Sequence, residues 1–96
     1  MIVHFGNRLA EELFDDVDAS KTRQFPRELR RTARRKFLFL HEAAELKDLR
    51  VPPGNRLEAL KGNLKGQYSI RINDQWRVVF QWEGGNALNV QIVDYH

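Results

Sequence analysis

The sequence predicts an α+β domain, with an early strand, a helical middle and a strand-rich end forming a small antiparallel sheet covered by helices on one face. Three observations predict it. Apolar residues recur at helical spacing between Phe25 and Leu40, three later segments alternate with a period of two, and turn-forming residues separate those segments.

The elements follow in order. Ile2–Phe5 reads as a short strand, Arg8 to about Phe14 as a short helix, and Asp18-Ala19-Ser20 as part of a polar loop. A longer helix begins near Phe25-Pro26, where proline suits the first turn and Glu28 complements the helix dipole, and it runs to about Leu40. Phe25, Leu29, Ala33, Phe37 and Leu40 fall on one face, whereas Arg27, Arg30, Arg31, Arg34 and Arg35 gather on the other. Lys36 lies on the apolar side and is expected to snorkel outward.

After a break near His41, Ala43–Leu49 reads as a second short helix, and Val51-Pro52-Pro53-Gly54-Asn55 as a loop, because consecutive prolines cannot continue a helix. Arg56–Leu60 is a fourth strand piece. Tyr68, Ile70 and Ile72 then alternate with Ser69, Arg71 and Asn73, Trp76, Val78, Phe80 and Trp82 with Arg77, Val79 and Gln81, and Leu88, Val90 and Ile92 with Asn89, Gln91 and Val93. Asn73-Asp74 and Gly84-Gly85-Asn86 tolerate left-handed turn backbone, so the segments are expected to form a meander.

Composition bounds the function. The 96 residues form one domain, 1–96, with 42% hydrophobic and 30% charged residues. No stretch approaches the ~18 apolar residues of a membrane span, and the first residues lack the pattern of a signal peptide, so a cytoplasmic protein is expected. There is no cysteine, and His4, His41 and His96 are too scattered for a metal cluster. No metal and no cofactor are expected; His4 and His41 read as structural. The net charge of +3 suits a polyanionic or acidic partner, with the basic residues concentrated between Arg27 and Lys36. A solvated surface explains such an arginine face as readily as a nucleic-acid site does.

Sidedness supplies the candidate site. If Trp76, Val78 and Phe80 face the core, Arg77 faces outward beside Gln81, and Tyr95 shares the outward parity of Asn89 and Gln91. Lys61 and Lys65 lie either side of Gly62 in a loop leading to the meander, and His96 follows the last strand, giving a basic, aromatic and imidazole-bearing pocket.

Leu60-Lys61-Gly62-Asn63, Gln67-Tyr68-Ser69-Ile70-Arg71, Asn73-Asp74-Gln75-Trp76-Arg77 and the closing Asp94-Tyr95-His96, preceded by Pro52-Pro53-Gly54-Asn55-Arg56-Leu57, resemble the HigB branch of the RelE/ParE toxin superfamily. That resemblance implies a RelE-like, microbial-ribonuclease-type fold and a toxin of a type II toxin–antitoxin system. The implied activity is metal-independent endonucleolytic cleavage of mRNA in the ribosomal decoding site, which inhibits translation. It further implies a helix-turn-helix, HigA-type antitoxin encoded in the same operon, and contact with operator DNA through the antitoxin complex.

By the same resemblance, Lys61, Arg77, Tyr95 and His96 are the candidate catalytic residues. Arg27, Arg30, Arg31, Arg34, Arg35, Lys65 and Arg71 are candidates for RNA or ribosome binding. RNA carries its own nucleophile in the 2′-hydroxyl, so the enzyme must remove a proton, offset charge on the phosphate and protonate the leaving oxygen. Where several relatives carry histidine three residues before the lysine, this chain has Glu58, a possible catalytic residue whose charge also repels phosphate. The residues leave open how acid and base roles divide among Glu58, Lys61 and His96. Two other readings stand beside the nuclease: a toxin of the same fold that acts on DNA gyrase, and a non-catalytic partner in a DNA-binding autorepressor complex.

Overall fold

A computed structural model describes residues 1–95. Three α-helices, α1 (Arg8–Asp15), α2 (Ser20–Gln24) and α3 (Arg30–Glu42), precede four strands, β1 (Glu58–Ala59), β2 (Gln67–Arg71), β3 (Trp76–Glu83) and β4 (Asn86–Asp94). The strands form one antiparallel sheet in the order β1-β2-β3-β4. This is the expected α+β meander.

The sheet's apolar face packs on the helices. Ile70, Val78, Phe80, Val90 and Ile92 join Leu13, Ala33, Phe37 and Leu40 in a single buried cluster, with Trp76 and Trp82 packed at its edge. Phe5, Phe14 and Phe37 meet at ring-centre distances of 5.2, 5.9 and 6.1 Å, locking the N-terminal segment, α1 and α3 together. Asn7 both caps α1, accepting from the Ala10 N–H at 3.1 Å, and donates to the Ile92 carbonyl at 2.9 Å. One side chain therefore starts the helix and fixes it to β4.

Several expected elements take a different form. In place of a regular strand, Ile2–Phe5 makes two isolated parallel bridges to β4, Ile2 with Ala87 and Phe5 with Val90. Between them, Asn89 adopts φ 52° at a bulge, and its N–H donates to His4 Nδ1 at 3.1 Å. The Ile2 N–H likewise donates to His41 Nδ1 at 3.2 Å. Both histidines thus supply acceptors to backbone that the broken ladder leaves unpaired.

The expected loop through Ser20 gives way there to α2, which is tied to α1 because Thr22 donates from its N–H and hydroxyl to Glu12 at 3.0 and 3.1 Å. The long helix opens with a 3₁₀ turn, Arg27–Leu29, becomes α-helical only at Arg30, and extends past Leu40 to Glu42. Ala43–Leu49 is replaced by a 3₁₀ helix, Leu46–Arg50, started by a Glu45–Asp48 capping box. The fourth strand piece shrinks to the two residues of β1.

Two side chains depart from their expected direction. The bulge shifts the β3–β4 register between Val79 and Gln81, so Leu88 pairs with Gln81 and Ala87 takes its place in the core. Lys36 does not snorkel. It is buried and donates to Asn55 Oδ1 at 2.6 Å, while Asn55 Nδ2 holds the Leu49 carbonyl at 3.2 Å. Burial pushes the Lys36 ammonium below the ordinary lysine value, and the charges of Arg35 and Arg71 act in the same direction.

Candidate active site on the outer face of the sheet

Pairing across the antiparallel ladder fixes which side chains share the face away from the helices. Arg71 pairs with Arg77, Ser69 with Val79 and also with Glu58, Arg77 with Val93, and Val79 with Gln91. Like charges directly opposite one another destabilise a sheet, so the Arg71–Arg77 pair costs the fold energy that a polyanionic ligand would return.

Turn chemistry sets this pair in place. Asn73 Oδ1 accepts from the Gln75 and Trp76 N–H groups at 3.0 and 2.7 Å, closing the β2–β3 turn immediately beyond the arginines. The Tyr95 N–H donates to the Gln75 carbonyl, which carries the chain beyond β4 back to that turn. The Tyr95 ring centre then lies 5.4 Å from the Arg77 guanidinium carbon, within cation–π range. Arg77 and Tyr95 therefore share the outer face, as their parity predicted.

The electrostatics are those of an incompletely satisfied cationic site. The Arg77 side chain is only 15% exposed, and its Nη1 lies 3.9 Å from Glu58 Oε1, an ion pair too long to be a hydrogen bond. Arg77 Nε and Nη1, Arg71 Nε and Ser69 Oγ are buried and donate to no protein group among the described residues. Arg71 hydrogen-bonds Asp74 across the turn. Buried guanidinium donors left unpaired by protein suit an anion such as phosphate.

The Leu60 N–H donates to the Gln67 carbonyl, so the loop bearing Lys61 begins roughly 13 Å of backbone from Arg71 along β2, while the Arg77 side chain reaches back toward that loop to meet Glu58. Lys61 and Lys65 are both exposed, at either end of the 3₁₀ turn Gly62–Leu64. His96 lies outside the described residues. The close approach of Glu58 to Arg77 and the opposition of Arg71 to Arg77 were not foreseen, because both depend on strand register.

The helix arginines form a separate surface, on the solvent side of the helical layer. Arg30, Arg31, Arg34 and Arg35 line a cavity of about 630 Å³ together with Phe14, Asp16 and Leu38. Arg34 pairs with Asp16 at 3.8 Å, and Arg30 with Asp18 at 4.0 Å and with the Thr22 carbonyl at 3.0 Å. Arg27, Arg31 and Arg35 are exposed and form no ion pair among the described residues. Among the described residues, no group of three or more His, Asp or Glu could hold a metal ion.

Comparison with known proteins identifies the family. The chain is 41% identical over 92 residues to Toxin HigB-1 of Vibrio cholerae, covering 96% of this chain and 95% of that protein. It is 34% identical over 73 residues to an uncharacterised Haemophilus influenzae protein, covering 76% of this chain and 71% of that one. Over a shorter stretch of 41 residues, 43% of this chain and 45% of the relative, it is 39% identical to the Endoribonuclease HigB of Proteus vulgaris. Residues 3–96 match the family of HigB-like toxins, described as RelE-like toxins of type II toxin–antitoxin systems. With nearly the whole chain matched, this protein belongs to the HigB-like toxin family, and an antitoxin partner follows from that membership.

Proposed function

We propose that this chain is an mRNA endonuclease that acts on the ribosome, inhibits translation and needs no metal. The observation that carries the reading is the Arg71–Arg77 cross-strand pair beside the Tyr95 ring, with buried guanidinium donors left for an anion. Its relative in Proteus vulgaris is named an endoribonuclease.

In the proposed reaction the 2′-oxygen of RNA attacks the adjacent phosphorus as it loses its proton, and the P–O5′ bond breaks. The products are a 2′,3′-cyclic phosphate and a 5′-hydroxyl that gains a proton. Arg77 and Arg71 offset charge on the phosphorane, for which guanidinium suits because it stays charged throughout. Tyr95 orients the Arg77 plane and offers a ring for base stacking. Lys61 is the further cation proposed at the scissile phosphate, and Lys65 is proposed to hold a neighbouring phosphate. His96 and Lys61 are the candidates for proton transfer.

Arg27, Arg30, Arg31, Arg34 and Arg35 are proposed to hold ribosomal RNA from the other side of the molecule. The HigA-type antitoxin, operator DNA reached through it, and a cytoplasmic location belong to the same reading. Among the described residues no insertion is large enough to enclose a strand, so on free RNA the substrate is proposed to be held through salt-sensitive phosphate contacts that do not align the 2′-hydroxyl. The test is to add purified protein to messages alone and on programmed ribosomes and to map the ends. New 5′-hydroxyl ends, forming far faster on ribosomes, are expected. Intact messages together with broken DNA in the presence of gyrase would transfer the protein to the gyrase-directed class.

A further inference from the structure

We infer that Glu58 is a displaceable placeholder for substrate phosphate on Arg77, setting how tightly the outer face holds an anion. The inference rests on the ribonuclease reading of that face. Glu58 projects from β1 on the face shared by Ser69 and Arg77, and its Oε1 sits 3.9 Å from Arg77 Nη1. The two partners differ in freedom. The Glu58 side chain is 57% exposed and belongs to a two-residue edge strand, whereas the Arg77 side chain is 15% exposed and is held under the Tyr95 ring.

That asymmetry decides which partner moves. An exposed carboxylate can rotate into water at little cost, but a buried guanidinium cannot follow it. At 3.9 Å Glu58 balances charge without satisfying hydrogen bonds, since Arg77 Nε and Nη1 donate to no protein group among the described residues. A phosphate oxygen closer in would both balance the charge and accept those bonds. Binding is therefore an exchange, in which the carboxylate swings out as the phosphate enters.

Asp74 is the corresponding carboxylate for Arg71. It lies in the β2–β3 turn, almost wholly exposed, and accepts a hydrogen bond from Arg71. The face thus carries its own countercharges, which offset part of the repulsion between the two opposed arginines. A weak ligand must pay for displacing them, and a strand that presents a well-aligned phosphate gains the buried donors in return.

The experiment measures binding of a single-stranded oligodeoxyribonucleotide, which lacks the 2′-hydroxyl and so cannot undergo the proposed cleavage, by fluorescence anisotropy at low salt. Glu58→Gln should bind about two- to fivefold tighter, the range that losing one exposed ion pair supports. Glu58→Asp keeps the charge but shortens the reach to Arg77, so it should also bind tighter than wild type. Combining Glu58→Gln with Arg77→Met, which retains an apolar stem, should remove most of the gain. Wild-type affinity for Glu58→Asp, or an undiminished gain in the Arg77→Met background, would mean simple charge repulsion and overturn the placeholder role. If wild type binds and Glu58→Gln binds no tighter, the placeholder role alone falls. If wild type and variants all fail to bind, the ribonuclease reading of the face falls and takes the inference with it.

Discussion

The guanidinium carbon of Arg77, near the start of β3, lies 5.4 Å from the ring centre of Tyr95, the residue after β4. The contact couples an orienting ring to the charge proposed to meet the scissile phosphate. Arg77→Ala should slow message cleavage on ribosomes by about 10²–10³-fold, the usual cost of one transition-state donor, while thermal unfolding stays close to wild type. Tyr95→Phe keeps the ring over the cation and should retain tight binding, whereas Tyr95→Ala should lose it. Cleavage at the wild-type rate in Arg77→Ala would remove this face from the reaction.

The helix arginines divide by partner. Arg31 and Arg35 form no ion pair among the described residues, whereas Arg34 pairs with Asp16. Charge reversal at Arg31 and Arg35 should weaken ribosome binding about tenfold or more and flatten its dependence on salt, without lowering the melting temperature. Arg34→Glu should also lower stability slightly, because it sets two carboxylates against each other. Ribosome pelleting across a salt series, beside thermal melts, measures both effects.

Glu12 gives the fold an acid limit. Burial pushes its carboxyl upward, but the N–H and hydroxyl of Thr22 and the guanidinium of Arg8 outweigh that, leaving it below the ordinary glutamate value. A depressed carboxylate contributes stability that is fully present above its unfolded value and is lost as pH falls through its folded value. Glu12→Gln should therefore melt at a lower temperature than wild type at neutral pH. The gap should narrow as pH falls below the ordinary glutamate value and through the depressed folded one, where the wild-type carboxylate takes up its proton. A gap independent of pH would mean that shape, not charge, secures α2.

Lys36 has the opposite slope. Its ammonium is held below lysine's usual value, so over the interval between the folded and unfolded values the unfolded chain binds more protons and stability rises with pH. Lys36→Met keeps the stem, removes the buried charge and should erase that rise, at the cost of leaving Asn55 Oδ1 without this donor. Urea midpoints measured up to about pH 10.4, the reference lysine value, test it. A persisting alkaline gain in Lys36→Met would assign the effect to another group.

Local periodicity made much of this fold legible in the sequence. Alternation in the three long strands put Arg77 and Tyr95 on one face, and helical spacing separated Phe37 and Leu40 from Arg31, Arg34 and Arg35, because side-chain direction along an element repeats every 2 or 3.6 residues. Tertiary structure alone decided the rest. The bulge at Asn89 exchanged Leu88 for Ala87 in the core, the parallel docking of residues 1–5 required acceptors from His4 and His41, and Lys36 found Asn55 rather than water. The approach of Glu58 to Arg77 and the opposition of Arg71 to Arg77 arise from register between strands. Register is set by turns, bulges and packing between residues distant in the chain, and a shift of one residue would carry these side chains to the other face.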